Sequence, residues 1–249
     1  MNRLRTFLFT MLAGLAITFT ACSENDSADE AINFEDKSVE FYATLGDSIT
    51  FDNEVTAADS AGLLLMREEE ILARDVYLYF YEMYGQNIFG NIASSEDRHA
   101  SSVLYLLDGY GIEDPATGVT GEFTNEVLGD LYVALTEQGS ESLAAALAVG
   151  ATIEDLDISD LKLQLANTEN ADIIRVYENL LQGSENHMRG FVRNLEALGE
   201  TYTPQYITEE EYDAILAGTN GQGYGKGGNG YGNGGRGNGQ GGYRYGQNR

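Results

Sequence analysis

The stretch Ile92-Ala93-Ser94-Ser95-Glu96-Asp97-Arg98-His99 decides how this chain is read. Around it Ile92, Glu96, His99, Val103, Leu106 and Tyr110 recur at spacings of four and three, which places them on one stripe of a helix. A stripe this apolar faces a core, yet it carries an acid and an imidazole on neighbouring turns. Leaving one partner of a buried ion pair uncompensated costs about 3–5 kcal/mol. A metal ion is the most direct compensation for a Glu-x-x-His pair that points inward, so the rest of the chain is judged by whether it completes such a site.

Outward from that stretch the pattern stays helical. Leu63, Met66, Glu70, Ala73, Tyr77, Phe80 or Tyr81, and Tyr84 make the stripe of a helix beginning near Ala57, and Gly85 closes it as a C-cap residue. The second helix runs from about Asn87 to Tyr110, ahead of Gly111. A looser region, 113–138, holds Pro115, Gly118 and Gly121 and a short helix from Thr124. Ser140-Glu141 opens the third long helix, with a stripe of Leu143, Ala146 or Leu147, Gly150, Glu154, Asp157, Leu161 and Leu165. The fourth runs from near Asn170 to Leu198, with Tyr177, Leu180, Ser184, His187, Phe191 and Leu195 on one face. Thr208 and Glu211 fit a capping box for a short last helix. No strand alternation appears between 57 and 217. Two helix pairs, each with a short turn and linked by a connection of about thirty residues, predict an all-α fold: an antiparallel four-helix bundle with one long crossover.

Composition bounds the rest. The formal net charge is −26, and residues 1–22 and 218–249 hold bases but no acid, leaving 40 acids against 8 bases between them. Such a surface repels nucleic acid and attracts cations. Arg3 and Arg5, the apolar run from Phe7 to Phe19, and Ala21 before Cys22 read as an export signal over 1–22. It resembles a bacterial lipoprotein signal, with Phe19 where Leu is usual. The resemblance implies lipidation at Cys22 and membrane attachment through the lipid, at the outer membrane or the periplasmic face; an ordinary cleaved signal would leave the protein periplasmic or secreted. Cys22 is the sole cysteine, so the mature chain has no disulfide and no thiolate metal site. Residues 23–56 read as an acidic tether and a loosely packed lead-in. The tail 218–249 is rich in glycine with Tyr and Arg interspersed, cannot repay its ordering entropy, and is expected to be disordered. Its tyrosines and arginines suit contact with the acidic domain or with surface polymers.

Each long helix carries polar groups on its apolar stripe: Glu70; Glu96 and His99; Glu154 and Asp157; Ser184 and His187. Both histidines of the chain belong to the set. Taken singly, each has a plainer reading. An inward His is commonly a hydrogen-bonded core residue, Glu68-Glu69-Glu70 is a solvated acidic run with one member facing inward, and Asp157 could pair with Arg175 or Arg74. Together they suit a dinuclear centre, with carboxylates bridging two cations and an imidazole terminal on each. Oxygen and nitrogen ligands suit iron, manganese or zinc.

The same residues carry a family resemblance. Glu70-x-x-Ala73-Arg74-x-x-Tyr77 followed by Glu96-x-x-His99 is similar to the first half of rubrerythrin-type members of the ferritin-like superfamily. The wording Met66-Arg-Glu-Glu-Glu70, Leu72-Ala-Arg-Asp-Val-Tyr77 and Arg175-Val-Tyr-Glu-Asn-Leu-Leu181 with Asn186-His187 resembles the domain of unknown function family 2202. That resemblance covers about 57–215. It implies a ferritin-like bundle holding two metal ions, foremost iron, with Glu70, Glu96, His99, Glu154 and His187 as ligands. The implied chemistry is ferrous-iron oxidation or reduction of peroxide or dioxygen. Where such enzymes carry Glu-x-x-His on the fourth helix, this chain has Ser184-Glu185-Asn186-His187; Asp157 is the candidate replacement carboxylate. Without a Cys-x-x-Cys module, electrons would come from an external donor or from the substrate metal. The alternative is a non-catalytic metal-binding or surface-interaction lipoprotein using the bundle as a scaffold.

Overall fold

The computed structural model describes residues 49–218; Cys22, the signal segment, the tether to residue 48 and the tail from 219 lie outside the described residues. Among the described residues there are six helices and no strand. They are α1 (Ala57–Tyr84), α2 (Asn87–Tyr110), α3 (Glu126–Gly139), α4 (Leu143–Asn167), α5 (Ala171–Ala197) and α6 (Glu209–Leu216).

Local chemistry sets most of the ends. Thr56 and Asp59 cap α1 reciprocally, and Thr208 and Glu211 do the same for α6. Asn125, Ser142 and Asn170 cap α3, α4 and α5 through their side chains. Gly85 and Gly111 end α1 and α2 with φ of 61° and 67°, a backbone that a side chain disfavours. The helix of the crossover starts at Glu126, just past the Thr124 expected.

The four long helices pack as α1 on α2 and α4 on α5, and the pairs meet through α1 with α4 and α2 with α5. Met66, Val76, Phe80, Phe89, Leu106 and Phe191 are sealed in the core they share. The crossover helix α3 lies over α1 and α4, and α6 rests on α5. None of the described helices is long and apolar enough to cross a membrane.

Buried acids tie the loops to the helices. Glu68 of α1 accepts the backbone N–H groups of Thr124 (2.6 Å) and Asn125 (3.1 Å), and Asp75 accepts that of Gly121 (2.9 Å). Arg67 adds a two-bonded pair with Asp114, each bond 3.0 Å. On α4, Asp155 collects the N–H of Ile207 (2.9 Å) and the Tyr202 hydroxyl (2.8 Å). Asp172 of α5 accepts the N–H of Phe51 (3.0 Å) and the Tyr110 hydroxyl (2.9 Å). The end of the lead-in is therefore packed, with Ile49 buried and the Phe51 ring 5.1 Å from that of Tyr110.

Candidate metal centre

A smaller set of buried acids has no loop to hold. Glu70 of α1, Glu96 of α2 and Glu154 of α4 are each 2% exposed and face one another across the middle of the bundle. The two imidazoles, His99 from α2 and His187 from α5, stack between them with ring centres 5.4 Å apart. Glu96 is central. One carboxylate oxygen lies 2.8 Å from His99 Nδ1 and the other 2.7 Å from His187 Nδ1. Glu70 flanks the first imidazole at 3.2 Å, and Glu154 flanks the second at 3.6 Å.

Two hydroxyls orient the carboxylates on the α4–α5 side. Tyr77 of α1 donates to Glu154 Oε1 at 2.6 Å. Ser184 of α5 hydrogen-bonds to Asp157 and also meets the Leu180 carbonyl at 3.0 Å; with one proton it donates to one at a time. Asp157 thus pairs with Ser184 rather than with Arg74 or Arg175; Arg74 is taken by Asp75 and Asp97. His99 owes its position to Gly183, where a Cβ would overlap the imidazole. An isolated Gly inside a helical run commonly has such a packing reason.

Five of the six candidate ligands are thus brought around one point. Among the described residues, Glu96, His99 and His187 form the group whose ligand atoms all lie within 4.8 Å of one another. Asp157 stands one turn further along α4, held by Ser184. The acidic run of α1 departs from expectation, because Glu68, Glu69 and Glu70 are all buried. Glu68 anchors the crossover, and α3 covers the face that a solvated run would have exposed. A cavity of about 20 Å³ lies between α1, α4 and α3. Glu69, Glu70, Glu96, Glu154 and Asp157 line it on one side, and Leu128, Leu131 and Leu135 of α3 on the other.

The electrostatics show what this concentration of charge requires. Burial pushes Glu70 up to about 8 even though His99 pulls the other way. Burial and the nearby Glu96 charge raise Glu154, while burial, Glu70 and Glu154 raise Asp157 well above the carboxylate range. Burial would raise Glu96 too, but His187 and His99 outweigh it and hold it far down. Burial alone lowers an imidazole; Glu96 and Glu154 nevertheless lift His187 to about 10, and Glu70 with Glu96 lifts His99 well above its ordinary value. In the absence of a metal, protons do the neutralising. Arg67 and Lys162 are paired elsewhere, with Asp114 and Glu211.

The donor atoms fit a cation better than they fit one another. Glu70 Oε1, Glu96 Oε1 and His187 Nδ1 are sealed from solvent with no hydrogen-bond partner. The last two lie 2.7 Å apart without the alignment a shared proton needs. Buried polar atoms are rarely left so, and donor atoms that converge without bonding one another are what a metal's first shell looks like.

Fold and cluster together define an all-helical bundle with a buried glutamate–histidine group that could hold a metal ion. The chain belongs to the uncharacterized protein domain family DUF2202, whose model matches residues 59–219. It is 50% identical over 170 residues to the uncharacterized protein MJ0754 of Methanocaldococcus jannaschii, covering 68% of this chain and 92% of that one. The crystal structure of the hypothetical protein MJ0754 superposes with a TM-score of 0.67, covering 68% of this chain and 97% of that chain.

Proposed function

We propose that the bundle is a ferritin-like metalloprotein whose centre takes two metal ions, iron foremost, and works as a ferroxidase or as a peroxide- or dioxygen-reducing oxidoreductase. One observation carries this: Glu96 offers one oxygen to each of two histidines, at 2.8 and 2.7 Å, with Glu70 and Glu154 closing the two sides. His99 with Glu70 would hold one ion and His187 with Glu154 the other, and Glu96 would offset the charge of both. When bound, iron would supply the electron exchange with peroxide, dioxygen or ferrous substrate.

The chain's own residues do the rest. His99 and His187 present neutral nitrogens once their protons leave, and Glu70, Glu96 and Glu154 offset the charge of the ions. Tyr77 fixes the rotamer of Glu154 and supplies a proton-bearing oxygen 2.6 Å from it. Asp157, oriented by Ser184, stands in for the carboxylate that the fourth helix lacks. The leucines of α3 limit the neighbouring space to something the size of one water. Electrons from outside require a partner protein or the substrate metal. The sequence of residues 1–22 supports export and attachment through Cys22.

Ser184 favours a second reading, a non-catalytic metal-binding lipoprotein, because a hydroxyl does not offset cationic charge. Metal analysis of the purified protein, followed by exposure of the iron-loaded form to peroxide or oxygen, separates the two. Two equivalents of iron with a change in visible absorption support the oxidoreductase. Bound metal with no spectral response supports the scaffold reading, and failure to hold metal rejects both.

A further inference from the structure

The carboxylates of the centre are sealed, but its histidines reach the surface. The side chains of Glu70, Glu96 and Glu154 are 2–3% exposed, against 12% for His99 and 10% for His187. The place is the seam between α2 and α5. A Cβ at Gly183, a half-buried position of α5, would overlap Cε1 and Nε2 of His99, so the ring edge fills the space a side chain would take there. Further along the seam, Ile88 and Ile92 of α2 lie 3.6 and 3.9 Å from where a Cβ at Gly190 would stand. His99 thus runs from inside to outside: Nδ1 meets Glu96 and Glu70, and Nε2 lies at the seam.

The charge beside that seam is unlike the rest of the domain. Residues 23–217 hold 40 acids against 8 bases. Among the described residues, Arg67, Arg74 and Lys162 are paired with acids. Arg98, Arg175, Arg189 and Arg193 all lie on α2 and α5, and no described carboxylate pairs with them. Arg175, Asn179, Gln182, Asn186 and Arg193 recur at helical spacing, are all exposed, and include no acid. Gln182 precedes Gly183 and Asn186 precedes His187, which sets this stripe about 100° around α5 from the inward residues. On α2, Asn91, Ser95 and Arg98 form a second acid-free stripe, with Arg98 directly before His99. Arg98 hydrogen-bonds the Ser94 hydroxyl at 3.3 Å and Arg189 the Ile215 carbonyl at 2.9 Å, both neutral partners.

We propose that this seam is the docking surface for an external electron donor with an anionic face, and that His99 carries its electrons to the centre. The proposal rests on the oxidoreductase reading above, which needs electrons from outside. Charge complementarity selects the partner. A domain of this net charge repels an anionic carrier, and the acid-free seam with its arginines is where that repulsion is relieved. Arginine forks also suit contact with a partner's carboxylates. Each encounter moves one electron: the donor is oxidised by one, one ferric ion is reduced to ferrous, and no bond forms or breaks. Two encounters reset a centre of two irons.

The test uses small donors in place of the partner. Ferric-loaded full-length protein is mixed at low salt with reduced anthraquinone-2,6-disulfonate, a dianion, or with the methyl viologen radical, a cation, and the loss of donor absorption is followed. Arg98→Glu and Arg193→Glu should each slow the dianion by roughly tenfold, should not slow the cation, and should lose the difference at high salt. Arg98→Lys should keep the wild-type rate. A second measurement needs no iron: in metal-free protein the oxidised disulfonate should shift the His99 imidazole resonances, and Arg98→Glu should weaken that binding. Wild-type dianion rates in both charge reversals, equal slowing of both donors in both, or unmoved imidazole resonances overturn the docking surface. Self-association that is lost in Arg193→Glu with no change in reduction would make the seam an interface between copies and also overturn it. A wild type that takes up no iron but still binds the disulfonate at His99 marks failure of the metal-centre reading instead, and the electron route falls with it.

Discussion

The two halves of the centre are built alike and finished differently. Each is a helix hairpin with an acid on its first helix and a histidine on its second. In the α1–α2 half, His99 Nδ1 lies between two carboxylate oxygens at 2.8 and 3.2 Å, from Glu96 and Glu70. In the α4–α5 half, His187 Nδ1 meets Glu96 at 2.7 Å but Glu154 only at 3.6 Å, and Glu154 is turned partly toward Tyr77. Where the first half has a glutamate three residues before its histidine, the second has Ser184. Hydroxyls orient a carboxylate without adding negative charge. The difference teaches that, in the proposed two-ion centre, the halves should differ in grip: the first ion would be held by charge at contact, the second by carboxylates set through hydroxyls.

Replacing one histidine at a time gives the largest effect and the sharpest test of that asymmetry. His99→Ala is expected to empty the centre, because Glu96 loses the partner that fixes it, whereas His187→Ala keeps one equivalent of metal. Elemental analysis reads both, and equal losses would erase the distinction. Next in size is Asp157→Ala. It should weaken only the second ion by roughly 10–100-fold, the range seen when a supporting group of a metal site is lost; competition with a chelator measures it, and a loss shared by both ions would count against Asp157 as the replacement carboxylate.

Tyr77→Phe should cost less. The second ion should weaken up to roughly tenfold as Glu154 loses its donor, and the fold should lose about 1 kcal/mol. Denaturant unfolding with and without metal separates the two parts. The smallest effect is on metal-free stability. Glu70 is raised from about 4.5 to about 8 and His187 from about 6.5 to about 10. In both cases the folded state keeps a proton that the unfolded chain releases, so the stability is present at low pH and is lost as pH rises. The midpoint of thermal unfolding in chelator should fall by a few degrees from pH 5 to pH 8. Glu96, shifted the other way, titrates below that window. Glu70→Gln should flatten the slope, excess metal should restore the midpoint at pH 8, and a midpoint that rises with pH would refute the proton account.

What could be read from the sequence followed the range of the physics involved. Helix ends depend on neighbouring residues, so Gly85, Gly111 and Thr208 announced them directly. The inward stripe of each long helix was legible for the same reason, and with it Glu70, Glu96, His99, Glu154 and His187. Contacts between distant segments were not. Nothing local says that Thr124 and Asn125 return their N–H groups to Glu68, so the acidic run looked solvated. Phe51, which packs on Tyr105 and Tyr110 and takes its backbone contact from Asp172, belongs to a segment without periodicity. The Ser184–Asp157 bond joins two helices, and Asp157 had other plausible partners in Arg74 and Arg175. Gly183 carried a signal, an isolated glycine in mid-helix, that meant nothing until His99 stood beside it.

The three glutamates of α1 also constrain what its length can do. Consecutive helical residues point about 100° apart. Glu68 faces the crossover, Glu69 lines the cavity under α3, and Glu70 meets a histidine. One residue removed from the preceding turns would rotate each carboxylate into its neighbour's direction. The anchor, the cavity lining and the candidate ligand would all be displaced in a single step, although no charge had been deleted. Substitutions in this helix can be compensated singly, but a change of its phase cannot, so α1 should accept many sequences and only one register.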